Sequence, residues 1–286
     1  MDTLIVRILS DKCDRVGELD DNLPDAIYSS VPNCKVDWNR CRTYSDMVIT
    51  RTTGKGAIRK AEWVEAVSRS VARWLINRYE ETVVKRIIRI KPFAFGPEHA
   101  EPVLKYCLQL LSAETHGNNT PHHGKNRRLE LLVQDMKAYW REHRLLNAEG
   151  FLLFRARKYI AELRGIVEYA RDEYLMDQQY KEFISLLQYF VYVQESKIPE
   201  AHLLHKGGHE FVLLNENMMP IDTAQLDTSF KVEFLDKDYN LEDLIVSTLI
   251  TIAPKRIYVH TREQELPVIK TIMQIFEERA QLCTLP

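Results

Sequence analysis

The sequence lacks the standard signatures of catalysis on a phosphate, a dinucleotide, a zinc-bound water or an ester. No GxxxxGK[ST] loop, GxGxxG turn, HExxH pair, GxSxG elbow or paired CxxC occurs in it, so none of the motif-borne routes to those chemistries has a starting point. Long apolar runs are missing too: none approaches the ~20 residues that span a bilayer. The N-terminus, MDTLIVRILSDKCD, has an acidic second residue and only a short apolar run before Arg7. That makes a poor signal peptide and a good first strand, and a cytoplasmic location is expected. Cysteine is sparse and odd in number. Cys13, Cys34, Cys41, Cys107 and Cys283 are scattered, which fits reduced thiols rather than a disulfide framework. Cys34 and Cys41 lie too far apart for a redox or zinc pair. The sequence therefore asks for no cofactor and no metal.

What is present is an ordinary globular composition: 286 residues, 45% hydrophobic and 28% charged, long enough for one large domain or two ordinary ones. The net charge of −2 hides an asymmetry. Residues 1–146 carry 24 Lys and Arg against 19 Asp and Glu, and residues 147–286 carry 15 against 22. Halves of opposite sign favour docking on each other, or a basic face for an acidic partner.

The expected fold is α+β and helix-rich: a small N-terminal β element, central amphipathic helices including a two-helix hairpin, and a C-terminal ββ(β)αβα module. Segments 1–54, 55–146, 147–199 and 200–286 mark the divisions. In the first, TLIVRIL (3–9), CKVDWN (34–39) and YSDMVITRT (44–52) alternate as strands do. Residues 57–91 show the longest helical pattern, with Val64, Val67, Val71, Leu75, Tyr79, Val83, Ile87 and Ile90 on one stripe and Pro92 ending it. A further helix opens at Gly96-Pro97-Glu98 and carries Cys107 as a buried apolar thiol. Residues 114–128 read as a polar loop whose His116, His122 and His123 lack metal-ligand spacing. A helix follows over 127–146.

Residues 147–199 carry the strongest pattern. Asn147 can cap a helix whose stripe runs Phe151, Phe154, Tyr159, Ile160, Leu163, Ile166, Val167, Ala170 and Tyr174. After Asp177 comes a second stripe of Tyr180, Phe183, Ile184, Leu187, Phe190 and Val191. The short joint at Leu175 to Gln178 predicts an antiparallel hairpin or one long kinked helix. The many aromatics here are read as core packing. Beyond them, AHLLH (201–205), Gly207-Gly208 and EFVLL (210–214) predict a β-hairpin. KVEFL (231–235) adds a candidate strand, Leu241 to Ile252 a helix, KRIYVH (255–260) a buried strand, and Val268 to Leu282 a terminal helix.

The strings NAEGFLLFR (147–155), DEYLMDQQYKEFISLLQYFVYVQE (172–195), LEDLIVSTLITIAPKRIYVH (241–260) and VIKTIMQIFEERAQLC (268–283) resemble the YtxC-like family of sporulation proteins. The likeness covers the C-terminal half well and the N-terminal half only in general layout. It implies a cellular context, spore formation in endospore-forming bacteria, and carries neither a mechanism nor site residues.

Three functions remain open. The leading one is a non-enzymatic cytoplasmic protein of sporulation that works through an unknown protein partner. The second is nucleic-acid binding by helix 57–91. Ten basic residues stand against four acids from Lys55 to Lys91, with Trp63 and Trp74 interleaved; Arg69, Arg73, Lys85 and Arg86 would meet the phosphates. The third is a small-molecule or nucleotide site in the C-terminal module. There His260 ends a strand and Glu263 follows in the loop, a position where α/β modules place ligands. Gly54-Lys55-Gly56 is a weaker anion-site candidate before a helix.

Overall fold

A computed structural model describes residues 2–9, 27–31, 34–52, 58–90, 96–112, 124–208, 210–221 and 241–283. The chain divides into two units, Met1–Leu175 and Met176–Pro286. The glycine-lysine-glycine turn at 54–56, His116, His122, His123 and the candidate strand 231–235 lie outside the described residues.

In the first unit, β1 (Thr3–Leu9), β2 (Cys34–Arg40), β3 (Tyr44–Arg51) and β4 (Leu145–Asn147) form one sheet in the order β2-β3-β1-β4. Successive side chains of a strand point to opposite faces. So β1 buries Leu4, Val6 and Ile8, and β3 buries Met47 and Ile49 beside them. The three expected strands are present. The fourth, β4, runs parallel to β1, with Val6 beside Leu146.

Helix α1 (Lys60–Arg89) lies against α2 (Pro97–Ser112) and α3 (Lys125–Glu142). It buries more than one stripe: Trp63, Val67, Val71, Leu75, Val83 and Ile87, but also Ala72, Ile76, Val84 and Ile88. Cys107 of α2 is fully buried, and burial pushes its thiol up to about 12. Helix α3 begins at Lys125, two residues before the expected start at 127, and takes in Arg128, where the expected loop 114–128 and helix 127–146 overlapped. Arg128 is 2% exposed. Its guanidinium donates to the Glu80 carboxylate at 3.0 and 3.1 Å and to the Leu111 carbonyl at 3.2 Å. The Tyr159 hydroxyl donates to the same carboxylate at 2.9 Å. Burial, and then the Glu80 charge beside it, hold the Tyr159 phenol far above its usual range. A charge taken out of water is tolerable only when it is paired and its remaining valences are filled, and here four groups fill them.

Asn147 caps α4 (Ala148–Phe154), its Oδ1 accepting from the Gly150 amide at 2.7 Å. The expected hairpin gives way to its alternative, a single helix: α5 runs without a break over Arg157–Val193. The segment Leu-Met-Asp-Gln at 175–178 holds no glycine or proline, so nothing in it obliges a turn. The interruption falls earlier, at Arg155 and Ala156.

In the second unit, β5 (Glu200–Gly207), β6 (Glu210–Asn215), β7 (Arg256–His260) and β8 (Ala280–Cys283) form a sheet in the order β6-β5-β7-β8. The predicted β5–β6 hairpin is present; Gly207 and Gly208 turn it at φ 118° and 59°, a region where a side chain is strained. Strand β7 lies parallel to β5, and β8 parallel to β7, joined through α6 (Leu241–Ile252) and α7 (Pro267–Phe276). The terminal helix is shorter than expected. It ends at Phe276, Glu277 takes φ 43°, and the chain turns through Glu277–Arg279 into β8. Pairing along β7 satisfies the backbone there and buries Ala280 beside Ile257. Ala201, Leu203, Ile257 and Val259 meet Leu249, Ile269, Ile272 and the α5 residues Ile184 and Val191 in one core.

The buried Glu80–Arg128–Tyr159 cluster makes a graded prediction. Arg128→Met leaves the carboxylate uncompensated and lowers unfolding stability by about 3–5 kcal/mol. Tyr159→Phe removes one hydrogen bond to a charged acceptor and costs about 1.5–3 kcal/mol. Denaturant unfolding of the two variants checks the order.

Candidate functional site

The second sheet has two unlike faces. Ala201, Leu203 and His205 of β5 point to its core, while His202 and Leu204 point away and are only half-buried. On β7, Tyr258 and His260 share that open face, and Gln281 and Cys283 of β8 lie beside them in register. Pairing sets His202 next to Tyr258, and the rings stack at 5.0 Å and 19°. His260 lies nearly parallel to His202, ring centroids 5.3 Å apart at 22°, and meets it edge to edge, with His202 Nδ1 3.1 Å from His260 Nε2. A hydrogen bond between two imidazole nitrogens needs one donor and one acceptor, so at least one ring is neutral. Burial, and then the neighbouring His202, lower the pKa of His260 below its ordinary value.

His205, on the core face, is held differently. Its ring stacks on Phe211 at 4.6 Å. Nε2 faces the Gly208 carbonyl at 3.1 Å, which can only accept, so that nitrogen carries the proton. Nδ1 lies 2.9 Å from the Thr261 hydroxyl, whose oxygen accepts from the Glu263 amide at 3.0 Å. Glu263 therefore contributes its backbone to this chain of bonds while its side chain stands exposed. His260 finds its partner in His202 rather than in Glu263. No group of three or more metal-capable side chains occurs among the described residues.

The four basic candidates on α1 do not converge. Arg69 and Arg73 border one cleft with Glu62 and Glu65, and Arg86 borders another with Arg78, Thr82, Leu152 and Leu153. Arg69 is ion-paired to Glu130 and to Glu65, and Lys85 to Glu81. Among the described residues, Arg73 and Arg86 make no ion pair. Trp63 and Trp74 are buried in the core and present no aromatic surface for stacking.

A third feature went unread in the sequence. The second part of α5 divides its apolar residues between two faces. Ile184 and Val191 are buried, and the same side of the helix is tied to α7 by Tyr180 to Gln274 at 3.1 Å and Gln188 to the Gln274 carbonyl at 2.9 Å. Met176, Phe183, Leu186, Tyr189, Phe190 and Val193 are exposed. The signal was in the chain: Leu186, Tyr189 and Val193 fall off the stripe that the core uses.

Comparison with known proteins places the chain. A model of the YtxC-like family matches residues 65–281, and the chain belongs to that family. It is 26% identical over 164 residues to a Bacillus subtilis (strain 168) protein described as "Uncharacterized protein YtxC". The match covers 55% of this chain and spans about half, 55%, of that relative. No solved structure matches. Among the described residues, no helix is long and apolar enough to cross a membrane.

The histidine pair makes a prediction in pH. The fold favours neutral His260, so its contribution to stability is whole above the ordinary value of 6.5 and is lost as pH falls below it towards the lowered pKa. Melting temperatures measured across that range should drop on the acid side, and His260→Gln should flatten the drop. In NMR titration, His202→Ala should move the His260 midpoint upward.

Proposed function

We propose that this chain is a non-enzymatic interaction protein of spore formation, acting in the cytoplasm, and that the exposed apolar face of α5 is its working surface. The observation that carries this reading is the run of large apolar side chains from Met176 to Val193 left open to solvent. Scattered exposed apolar residues need no explanation, but a contiguous patch on a soluble protein marks an interaction site. Membership in the YtxC-like family supports the cellular setting.

A second reading, a small-molecule or nucleotide site, is favoured by the Tyr258, His202 and His260 rings, which gather aromatic surface and hydrogen-bonding groups on the half-buried face of the sheet. A ligand there would raise the melting temperature of the native chain and not that of His260→Ala.

The leading reading is tested in a spore-forming host lacking this gene. Wild type should restore heat-resistant spores. A chain carrying Phe183→Glu and Phe190→Glu should keep its melting temperature and fail to restore them. Full restoration by that variant contradicts the reading.

A further inference from the structure

We infer that the exposed face of α5 pairs with the same helix of a second copy of this chain, antiparallel about a two-fold axis. The inference rests on the reading of that face as an interaction surface and names its occupant. Met176, Phe183 and Phe190 are spaced by seven, and so are Gln179, Leu186 and Val193, three residues further on. These are the a and d positions of a heptad, the pattern that makes a helix seam for another helix. All six are exposed, and the five apolar ones are between 45% and 66% exposed. Within the chain's own core the helix uses a different side, through Ile184 and Val191. The seam is thus additional to the fold's needs.

The chemistry of the seam selects a copy of itself. No charged residue occupies an a or d position: Asp177, Lys181 and Glu182 all fall elsewhere in the heptad. Two identical copies therefore meet without like-charge repulsion, whereas a charged partner such as nucleic acid finds no counter-charge. Antiparallel pairing about a point between residues 184 and 185 sets Phe183 against Leu186, Met176 against Val193 and Gln179 against Phe190. Each larger side chain then faces a smaller or more flexible one, the alternation that well-packed layers require. Parallel pairing would instead stack Phe183 on Phe183 and Phe190 on Phe190. With Tyr189 at its flank, the seam offers roughly 600 Å² per copy, at the lower end of the ~600–1,000 Å² that each partner of a stable interface buries.

Sedimentation velocity of the full chain from low to high micromolar concentration tests this. Wild type should sediment at twice the chain's mass. Phe183→Lys alone and Leu186→Glu alone should each give monomers that keep the wild-type circular dichroism. The double variant, Phe183→Lys with Leu186→Glu, should regain the dimer, because antiparallel pairing sets the new opposite charges against each other. A dimer indifferent to Phe183→Lys, or one that the double variant fails to restore, overturns the inference. A monomeric wild type overturns it too. In that case, failed spore restoration by the Phe183→Glu, Phe190→Glu chain would still uphold the surface, and full restoration would remove both.

Discussion

The first unit depends on one buried charge. Arg128 lies almost wholly out of water; its partners are Glu80 of α1 and Leu111 of α2, and Tyr159 of α5 donates to the same Glu80 carboxylate. Stranding either charge is costly, so this contact sets the register of α3 on α1 more strictly than apolar packing alone. Apolar side chains can slide or repack at small cost; a buried carboxylate and guanidinium cannot. Along the same helix pair, Lys137 meets Glu65 and Lys125 meets Asn77, in the order that antiparallel α1 and α3 require. These outer contacts are exposed and contribute little each. On α1 itself Arg69 is paired with Glu130 and Glu65, and Lys85 with Glu81.

Helix α5 serves two cores. Tyr159, Leu163, Ile166, Val167 and Ala170 belong to the first, and Ile184 and Val191 to the second. In the second part, large apolar residues outnumber the places that the core provides. The surplus sits at heptad spacing on a separate face, and the proposed interaction role arises from that surplus. The histidine face of the second sheet is a different kind of feature. Its rings are positioned by strand register, and the lowered pKa of His260 follows from burial and from the ring beside it.

Legibility in the sequence followed the range of the contacts. Strands β1 and β3 alternate strictly, and the β5–β6 hairpin is signalled by adjacent glycines, so local pattern sufficed. Strands β4 and β8 are short, and each pairs in parallel with a strand remote in sequence; nothing local marks them. Arg128 fell where the expected loop 114–128 and helix 127–146 overlap, and nothing local marked it as buried, because its partner Glu80 is 48 positions away. The joint at 175–178 suggested a turn from an aspartate alone, without the glycine or proline that compels one. His260 was legible as a strand end, but its partner His202, brought beside it by parallel pairing, was not. On α5, Phe183 with Ile184 and Phe190 with Val191 are sequence neighbours on different faces. Reading each pair as one stripe merged the core side with the open side and hid the seam.

The central claim, that the open face of α5 is covered by a second copy, is tested most directly by oxidative footprinting of the two methionines Met176 and Met219. They are equally open in the single chain, 66% and 63% exposed, but only Met176 lies on the seam. The account predicts that oxidation of Met176 falls as protein concentration rises while that of Met219 stays constant. Equal and concentration-independent oxidation of both would contradict it.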